Sequence, residues 1–332
     1  MNDAIHDAPS GWYRGRPALV LGGLGFIGRR LSRRLIDAGA PVTIVTPRRS
    51  THAHEAADLE SAGASVVEAD IRDGSAMGRM VRRQDVVFNL SARSGALQSV
   101  EDPLTDLDVN GRGSLVLLEA LRVENRSANL VLIGSRLEYG RVGAEPAVES
   151  RPAVPLCAHA VHKLMVEHYV RVYGRLFGMK SIVARVTNAF GPGQPPGRTE
   201  YGIVNRMIHL ALDDRELTVY GDGSQLRDYI FIDDVVEALL CLGSRAASHV
   251  PIYNVGTGIG TAFIDVARAI TAIAGGGRIE RVDWPPLAEQ IETGDFVADV
   301  SRIRREVGWT AAVPLHDGLQ RTVAFYRAHV GS

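Results

Sequence analysis

Near its N-terminus the chain carries three regularly spaced glycines, Gly22, Gly25 and Gly28, in the segment GGLGFIG. The segment follows a short apolar run, ALVL, and opens a run with helical periodicity that ends at a glycine. Glycines between a strand and a helix allow a tight turn and let a diphosphate approach the backbone, where the helix N-terminus offers N–H groups. The pattern predicts a dinucleotide-phosphate site, with Phe26 and Ile27 at the start of the helix. The alternative is a tight turn and nothing more.

Short apolar segments alternate with longer amphipathic ones through the first half of the chain. VTIVT, SVVEAD, DVVFNL, NLVLIGS and KSIVARV are typical of buried strands, and segments such as GRGSLVLLEALRVEN are typical of helices. Continuous apolar strands that alternate with helices indicate a parallel sheet covered on both faces. The sequence therefore predicts an α/β fold with a doubly wound, Rossmann-type parallel sheet.

The composition narrows the range of partners. With 37 Lys+Arg against 38 Asp+Glu in 332 residues, the chain gives no electrostatic reason to expect nucleic acid or a membrane as a partner. Two cysteines exclude a disulfide framework and fit a reducing cytoplasm. The first residues lack the apolar run of a secretory signal, so we expect residues 1–14 to form a flexible leader.

The end of the second predicted strand bears on the choice of cofactor. It reads VTPRRS, with Thr46 where an acidic residue would bind an adenosine ribose. Arg48 and Arg49 follow, and arginines at this place can pair with a 2′-phosphate, which favours NADP over NAD. The alternative is two solvated arginines on a loop. Asp70 and Ile71 follow the third predicted strand, where Asp70 could bind the adenine amino group or cap the next helix.

Several motifs in order along the chain extend this interpretation. They are GGLGFIG, GSRLEYG, HAVHK, RVTNAFGPGQ, YGDGSQLRDYIFIDDV, YNVGTG and ADVSRIRREVGW. With these motifs the chain resembles the extended short-chain dehydrogenases/reductases, specifically the NAD-dependent epimerase/dehydratase family that acts on nucleotide sugars. The resemblance covers residues 17–328. It implies a dinucleotide-binding domain of residues 15–187 with 228–256, and a smaller C-terminal domain of residues 188–227 with 257–330 that binds a nucleotide-diphosphate sugar.

The resemblance also implies a set of substrate-binding residues. Asn188 would hydrogen-bond the diphosphate or the sugar, Arg227 would pair with a phosphate, and Tyr220 would lie against the nucleotide base. Ser135 and Arg136 would contact the sugar. The alternatives are a turn-capping role for Asn188 and, for Arg227, a salt bridge to the next residue or another neighbour.

The family's catalytic set is a serine or threonine, a tyrosine and a lysine, and this chain departs from it at one position. Ser135 and Lys163 match the serine and the lysine, but His159 stands where the tyrosine is expected. An imidazole has a reference pKa of about 6.5 and a phenol of about 10, so a histidine needs less adjustment to act as a base near neutral pH. We expect His159 to act through a water or to leave the main role to Ser135 or a substrate-bound group. The alternative is that the catalytic chemistry is degraded and that His159 merely replaces the tyrosine.

The two histidines of HAVHK, His159 and His162, also have a spacing that could suit a metal ion. No third ligand follows nearby in the sequence, and Lys163 would repel a cation. We therefore expect no metal site, with His162 packed or solvated.

The residues after Ser135 bear on the type of reaction. Family dehydratases carry an acidic pair there and decarboxylases a glutamate, but this chain has Arg136 and Leu137. Glu138 comes one place late, and we expect it to point elsewhere. Without a carboxylate for elimination, hydride transfer at C4 of the sugar remains.

The leading interpretation is a nucleotide-diphosphate-sugar 4-epimerase. The alternatives are an NADPH-dependent 4-keto-sugar reductase and a non-catalytic NAD(P)-binding sensor or scaffold. The resemblance further implies a homodimer.

Overall fold

A computed structural model of the chain describes residues 10–194 and 202–329. Its centre is a seven-stranded parallel sheet in the order β10-β6-β5-β4-β1-β2-β3. The strands are β1 Ala18–Leu21, β2 Val42–Thr46, β3 Ser65–Glu68, β4 Val86–Asn89, β5 Asn129–Ser135, β6 Ser181–Val186 and β10 Ile252–Val255. Because β1 pairs with β2 on one side and β4 on the other, the chain order reverses there, at the switch point where such sheets bind ligands.

Alternate residues of β1 show that the sheet is covered on both faces. Ala18 and Val20 face one hydrophobic core, whereas Leu19 and Leu21 face a second, and all four are fully buried. The first core is covered by α2 Phe26–Asp37, α3 Ala53–Ser61 and α10 Ile232–Gly243. The second is covered by α4 Gly74–Val81, α7 Gly113–Glu124 and α8 Ala158–Phe177. Burial on both faces explains the continuous apolar strands, and the predicted α/β fold with a doubly wound parallel sheet is confirmed.

Short helical segments lead from β4 into α7. They are α5 Ala96–Glu101, α6 Pro103–Asp106 and a π-helical segment, Leu107–Arg112. Asp102 begins α6 as its N-cap, where its carboxylate accepts a hydrogen bond from the Thr105 N–H (3.2 Å). These segments carry Asp106 and Asn110 to the N-terminal end of α8, where both contact side chains of that helix.

The rest of the C-terminal half surrounds a third core. Its strands are β7 Asn188–Phe190, β8 Glu216–Tyr220, β9 Leu226–Phe231, β11 Gly260–Ala262 and β12 Arg278–Val282. Its helices are α9 Ile203–Leu212, α11 Phe263–Ala274 and α14 Leu315–His329, and a short helix, α12 Pro286–Gln290, follows β12 along the chain. Helix α13, Ser301–Val307, instead packs into the first core through Ile303 and Val307. Residues 257–330 therefore do not pack as one unit, and the predicted division into two domains stays a proposal.

The N-terminal segment is not a leader over its whole predicted length. Residues Ser10–Tyr13 form helix α1, and Tyr13 is fully buried in the first core, with its hydroxyl donating to the Leu240 carbonyl (2.6 Å). The prediction of a flexible leader over residues 1–14 is thus wrong from residue 10 onward, because an aromatic side chain anchors it. Residues 1–9 lie outside the described residues. In the described parts of the chain no helix is both long and apolar enough to cross a membrane.

Candidate active site

The glycine turn between β1 and α2 brings backbone segments close together. Gly22 has a positive φ of 74°, and a Cβ there would lie 2.9 Å from the Leu90 carbonyl group. A Cβ on Gly28 would lie only 2.1 Å from the Gly22 oxygen. Gly25 is the N-cap of α2 and makes no side-chain cap hydrogen bond, so the first N–H groups of the helix, from Phe26 onward, can meet a phosphate. The turn fits the diphosphate of a dinucleotide.

The arginines after β2 differ in their surroundings. Thr46, the last residue of β2, is buried, and Arg48 is exposed. Arg49 is held by two carboxylates: its backbone N–H donates to Glu68 (2.9 Å) and its guanidinium donates to Glu60 (2.7 Å). Arg48 is therefore the more available of the two for a ligand phosphate.

Asp70 and Ile71 lie just beyond β3, near the predicted adenine position. Asp70 binds the guanidinium of Arg72 (2.7 and 2.9 Å), and hydrogen bonds from Arg72 lower the pKa of its carboxyl despite partial burial. Ile71 is buried against Gly113. The N-cap of α4 is Asp73, whose carboxylate accepts from the Ala76 N–H (3.0 Å). The alternative that Asp70 caps this helix is therefore wrong.

Ser135 ends β5 and begins a short 3-10 turn, Arg136–Tyr139, through a capping box. Its Oγ accepts from the Leu137 N–H (3.2 Å), and the Glu138 carboxyl accepts from the Ser135 N–H (2.6 Å). Glu138 is fully buried. Its side chain points into the protein.

Glu138 belongs to a buried cluster with Glu167 and Arg185. The guanidinium of Arg185 binds Glu167 (2.7 and 2.8 Å) and lies 3.2 Å from Glu138. Burial and the nearby Glu167 raise the pKa of Glu138 well above its ordinary value. Burial opposes ionisation of Glu167 too, but hydrogen bonds from Glu138 and Arg185 lower its pKa. Of the two carboxyls, Glu138 is therefore the one that more readily takes a proton.

Lys163 lies on α8 beside the end of β5. It is buried, and its Nζ donates to the Ile133 carbonyl (3.1 Å), two residues before Ser135. Burial lowers the pKa of Lys163, although negative charge from Glu138, Asp106 and Glu167 opposes this. The lysine is thus tied to the strand that carries Ser135.

His159 and His162 share one buried carboxylate, Asp106. The Asp106 oxygens lie 2.6 Å from Nδ1 of His162 and 3.5 Å from Nδ1 of His159. Asn110 also lies 3.3 Å from Nδ1 of His159. Burial alone would raise the pKa of Asp106, but hydrogen bonds from the histidines and Asn110 outweigh it and hold the pKa at about 2. Sequence reasoning missed Asp106, which is 56 residues from His162 along the chain and belongs to none of the motifs.

The predicted substrate residues form a connected polar set. Arg136 donates to the Asn188 side-chain oxygen (3.0 Å) and to Thr293 (2.9 Å). The Asn188 amide in turn donates to the Asp228 carbonyl (2.9 Å), so it links two strands. Arg227 pairs with Glu292, not with the next residue. Thr293 and Glu292 were missed because they lie in an irregular segment after α12.

Tyr220, predicted to lie against a nucleotide base, ends β8 beside a second aromatic ring. Its ring centre lies 5.1 Å from that of Trp284, at an angle of 42°. Trp284 was missed by sequence reasoning, because a lone tryptophan before Pro285 has no motif around it.

The structure brings these residues to the carboxyl edge of the sheet but does not link them all. Lys163 contacts β5, and Arg136 joins Ser135's turn to Asn188. No hydrogen bond connects His159 with Ser135 in the part of the chain that the structure describes. Within residues 10–194 and 202–329, no group of three or more His, Cys, Asp or Glu residues could hold a metal ion.

Together, a glycine turn at the switch point of a parallel sheet and polar side chains at its carboxyl edge define a dinucleotide-binding α/β enzyme. The profile of the NAD-dependent epimerase/dehydratase family matches residues 18–256, and the chain belongs to that family. It is 33% identical to a UDP-glucose 4-epimerase of Mycolicibacterium smegmatis over 93% of this chain and 98% of that one.

Solved structures agree with the family assignment. A UDP-glucose 4-epimerase from Thermotoga maritima, determined with UDP-glucose, is 30% identical with a TM-score of 0.86, covering 95% of this chain and 99% of that one. A UDP-glucose 4-epimerase from Thermus thermophilus in complex with NAD is 30% identical with a TM-score of 0.84, covering 94% and 99%. The likeness extends over nearly the whole of each chain.

Proposed function

We propose that the chain is a nucleotide-diphosphate-sugar 4-epimerase that acts by reversible hydride transfer at C4 through bound NAD(P). The observation that carries this proposal is the orientation of Glu138, the carboxylate closest to Ser135 along the chain. It is fully buried and bound to the Ser135 N–H and to neighbouring buried side chains. A carboxyl held in these buried contacts is not free to carry the proton transfers of an elimination, which supports oxidation and reduction at C4 instead.

His159 is the residue we propose for proton transfer. In the tautomer in which Nδ1 donates to Asp106, Nε2 is the ring nitrogen that would take a proton from the C4 hydroxyl, directly or through a water. Since Asp106 stays ionised, its negative charge would stabilise the imidazolium formed when His159 takes that proton. A carboxylate behind the ring would thereby compensate for the absent tyrosine.

Lys163 and Ser135 would assist at the same centre. The Lys163 amine would bind the nicotinamide ribose and stabilise negative charge on the reacting oxygen. The Ser135 Oγ already accepts a hydrogen bond from the Leu137 N–H, so its own proton can be donated to a sugar oxygen. When bound, the nicotinamide supplies the hydride acceptor and donor.

The identity of the ligands is a further part of the proposal. We propose a UDP-sugar, because the Thermotoga relative was determined with UDP-glucose. The preference for NADP over NAD rests on Arg48 alone, since Arg49 is already held by Glu60 and Glu68. The Thermus relative is in complex with NAD, which supports NAD as the alternative.

The homodimer is also a proposal, and exposed apolar side chains support it. Val161, Val172 and Leu176 of α8 and Val123 of α7 are between 38% and 65% exposed. Apolar side chains at such positions on adjacent helices are typical of a surface that a partner covers. Light scattering on the purified chain tests this, with a dimer as the expected mass.

A second candidate, the NADPH-dependent 4-keto-sugar reductase, is favoured by the exposure of Arg48. The third, a non-catalytic sensor or scaffold, is favoured by the replacement of the family tyrosine by His159. The connected polar set around Arg136 and Asn188 argues against the sensor, because a protein that binds only a dinucleotide has no use for it.

The test is a panel of nucleotide sugars added to the dinucleotide-loaded protein, with absorbance in the reduced-nicotinamide band and the sugars followed by NMR. An epimerase converts the sugars that it accepts to their C4 epimers, with transient reduction and no net consumption of cofactor. Net oxidation of NADPH by a 4-keto sugar would support the reductase instead. No change with any sugar would overturn both and support the sensor.

A further inference from the structure

Arg136 makes its side-chain hydrogen bonds to neutral groups in the candidate site. Its Nε donates to Asn188 (3.0 Å), one terminal nitrogen donates to Thr293 (2.9 Å), and its guanidinium carbon lies 5.6 Å from the centre of the Phe296 ring. Among residues 10–194 and 202–329, no carboxylate lies within ion-pair distance of it. Two of its five N–H groups are used in these hydrogen bonds, which leaves donors for a ligand.

Two arginines nearby, both more deeply buried than Arg136, show the contrast. Arg185 is paired with Glu167 and Glu138, and Arg227 is paired with Glu292. Burial and the charge of Arg227 lower the pKa of Arg136 to about 10, and Glu292, which opposes this, is already bound to Arg227. Arg136 is half-buried and has no anionic partner of its own among the described residues, so its remaining donors are suited to an anion.

We infer that Arg136 binds a carboxylate on the sugar, so that the preferred substrate is a nucleotide-diphosphate hexuronate, with the acid group at C6. The inference rests on the proposed function, in which Ser135 donates to an oxygen of the reacting sugar. Arg136 is the next residue, and C6 is attached to C5, the neighbour of C4. A residue adjacent to Ser135 on the same turn is therefore placed to contact the C6 substituent.

The shape of the guanidinium favours this ligand. Its planar fork can bind both oxygens of a carboxylate in parallel, which an ammonium group cannot do. Asn188, Thr293 and the Phe296 ring hold the fork in one orientation, so little side-chain entropy is lost when the anion binds.

The same chemistry could come from the pyrophosphate instead of the sugar. Both are anions with oxygens that suit an arginine fork. Three ligands distinguish the two anions. UDP carries the pyrophosphate without a sugar, UDP-glucose carries the pyrophosphate with a neutral sugar, and UDP-glucuronate carries both anions. Comparison of UDP, UDP-glucose and UDP-glucuronate therefore separates them.

The experiment is calorimetric titration of the NAD-loaded protein with these three ligands, for wild type and for Arg136→Met. We expect wild type to bind UDP-glucuronate about tenfold or more tightly than UDP-glucose. Arg136→Met should remove that difference and leave the affinity for UDP unchanged. Arg136→Lys, which keeps the charge but not the fork, should retain only part of the difference. Thermal unfolding of each variant checks that it is folded.

A matched control is Arg141→Met, which alters an exposed arginine that donates to the Glu292 carbonyl (3.1 Å) and should leave the preference intact. Equal affinity of wild type for the two sugars, or no binding of either, would overturn the inference. A loss of UDP affinity in Arg136→Met would assign the arginine to the pyrophosphate and overturn it as well. Because binding is measured, selective binding of the uronate without its epimerisation would contradict the proposed function and leave this inference standing.

Discussion

The carboxylate of Asp106 lies 3.5 Å from Nδ1 of His159. If this carboxylate orients the imidazole for proton transfer, Asp106→Asn should lower kcat with little change in KM, because substrate contacts are retained. His159→Phe should lower kcat at least as much. The double variant should be no slower than His159→Phe alone, since Asp106 acts through His159.

Steady-state kinetics of the three variants measures this, after titration shows that each still binds the dinucleotide. Unchanged turnover in His159→Phe would remove His159 from the mechanism. Additive losses in the double variant would instead give Asp106 a purely structural role.

The same carboxylate predicts how stability depends on pH. Asp106 has a pKa of about 2 in the folded chain against 3.8 as the ordinary value. A group whose folded pKa is lowered stabilises the fold above its unfolded pKa, and that contribution is lost as pH falls through the folded pKa. It amounts to about 2 kcal/mol at neutral pH. Urea unfolding of wild type and Asp106→Asn should show a gap in stability at pH 6 that narrows between about pH 4 and pH 2. A gap independent of pH would contradict the ionised, hydrogen-bonded Asp106.

The buried pair of Glu167 and Arg185 should be costly to break. Glu167→Gln removes the carboxylate that binds the buried Arg185 guanidinium through two short hydrogen bonds and leaves the longer contact with Glu138 (3.2 Å), so we expect a loss of about 3–5 kcal/mol in the free energy of unfolding. Asp58→Asn makes the same chemical change in the exposed pair with Arg33 and should cost less than about 1 kcal/mol. Denaturant unfolding compares the two, and equal losses would show that Arg185 finds another anionic partner.

Arg48 gives a prediction for the cofactor. Its exposure at the end of β2 predicts that Arg48→Ala weakens the binding of NADP and leaves that of NAD unchanged, because only NADP carries a 2′-phosphate. Fluorescence titration with both dinucleotides measures the two affinities. Arg49→Ala is the comparison, with a smaller expected effect since Glu60 and Glu68 already bind Arg49. Equal weakening of both dinucleotides in Arg48→Ala would assign the arginine to a part that the two share.

Local sequence patterns predict most of the strands of the central sheet but not all of them. The apolar runs predict β1 to β6, whereas β10 is missed because Asn254 interrupts its short apolar run. In the fold Asn254 is buried, and its amide binds the Tyr139 hydroxyl (2.7 Å) and the Ala147 carbonyl (2.7 Å). A polar residue whose partners lie far along the chain cannot be recognised as a core residue from its neighbours.

The residues of the candidate site likewise divide into those that local sequence patterns predict and those that they miss. Ser135 and Lys163 stand in local motifs, from which the sequence predicts them as site residues. Asp106 and Glu292 are missed because they act only through side chains that the fold brings to them, His159 and Arg227 respectively. Residues that tune a functional group from another element therefore need the structure.

The glycine turn supports a graded prediction for dinucleotide binding. A Cβ added to Gly28 would lie 2.1 Å from the Gly22 oxygen, and one added to Gly25 would lie 3.2 Å from the same oxygen. A Cβ added to Gly74 would have its nearest neighbour, an atom of Val116, at 3.8 Å. Gly28→Ala should therefore lose the binding of both NAD and NADP, Gly25→Ala should weaken it, and Gly74→Ala should leave it as in wild type. Titration with each dinucleotide orders the variants, with circular dichroism to show that each is folded. A folded Gly28→Ala that binds as wild type does would place the diphosphate away from this turn.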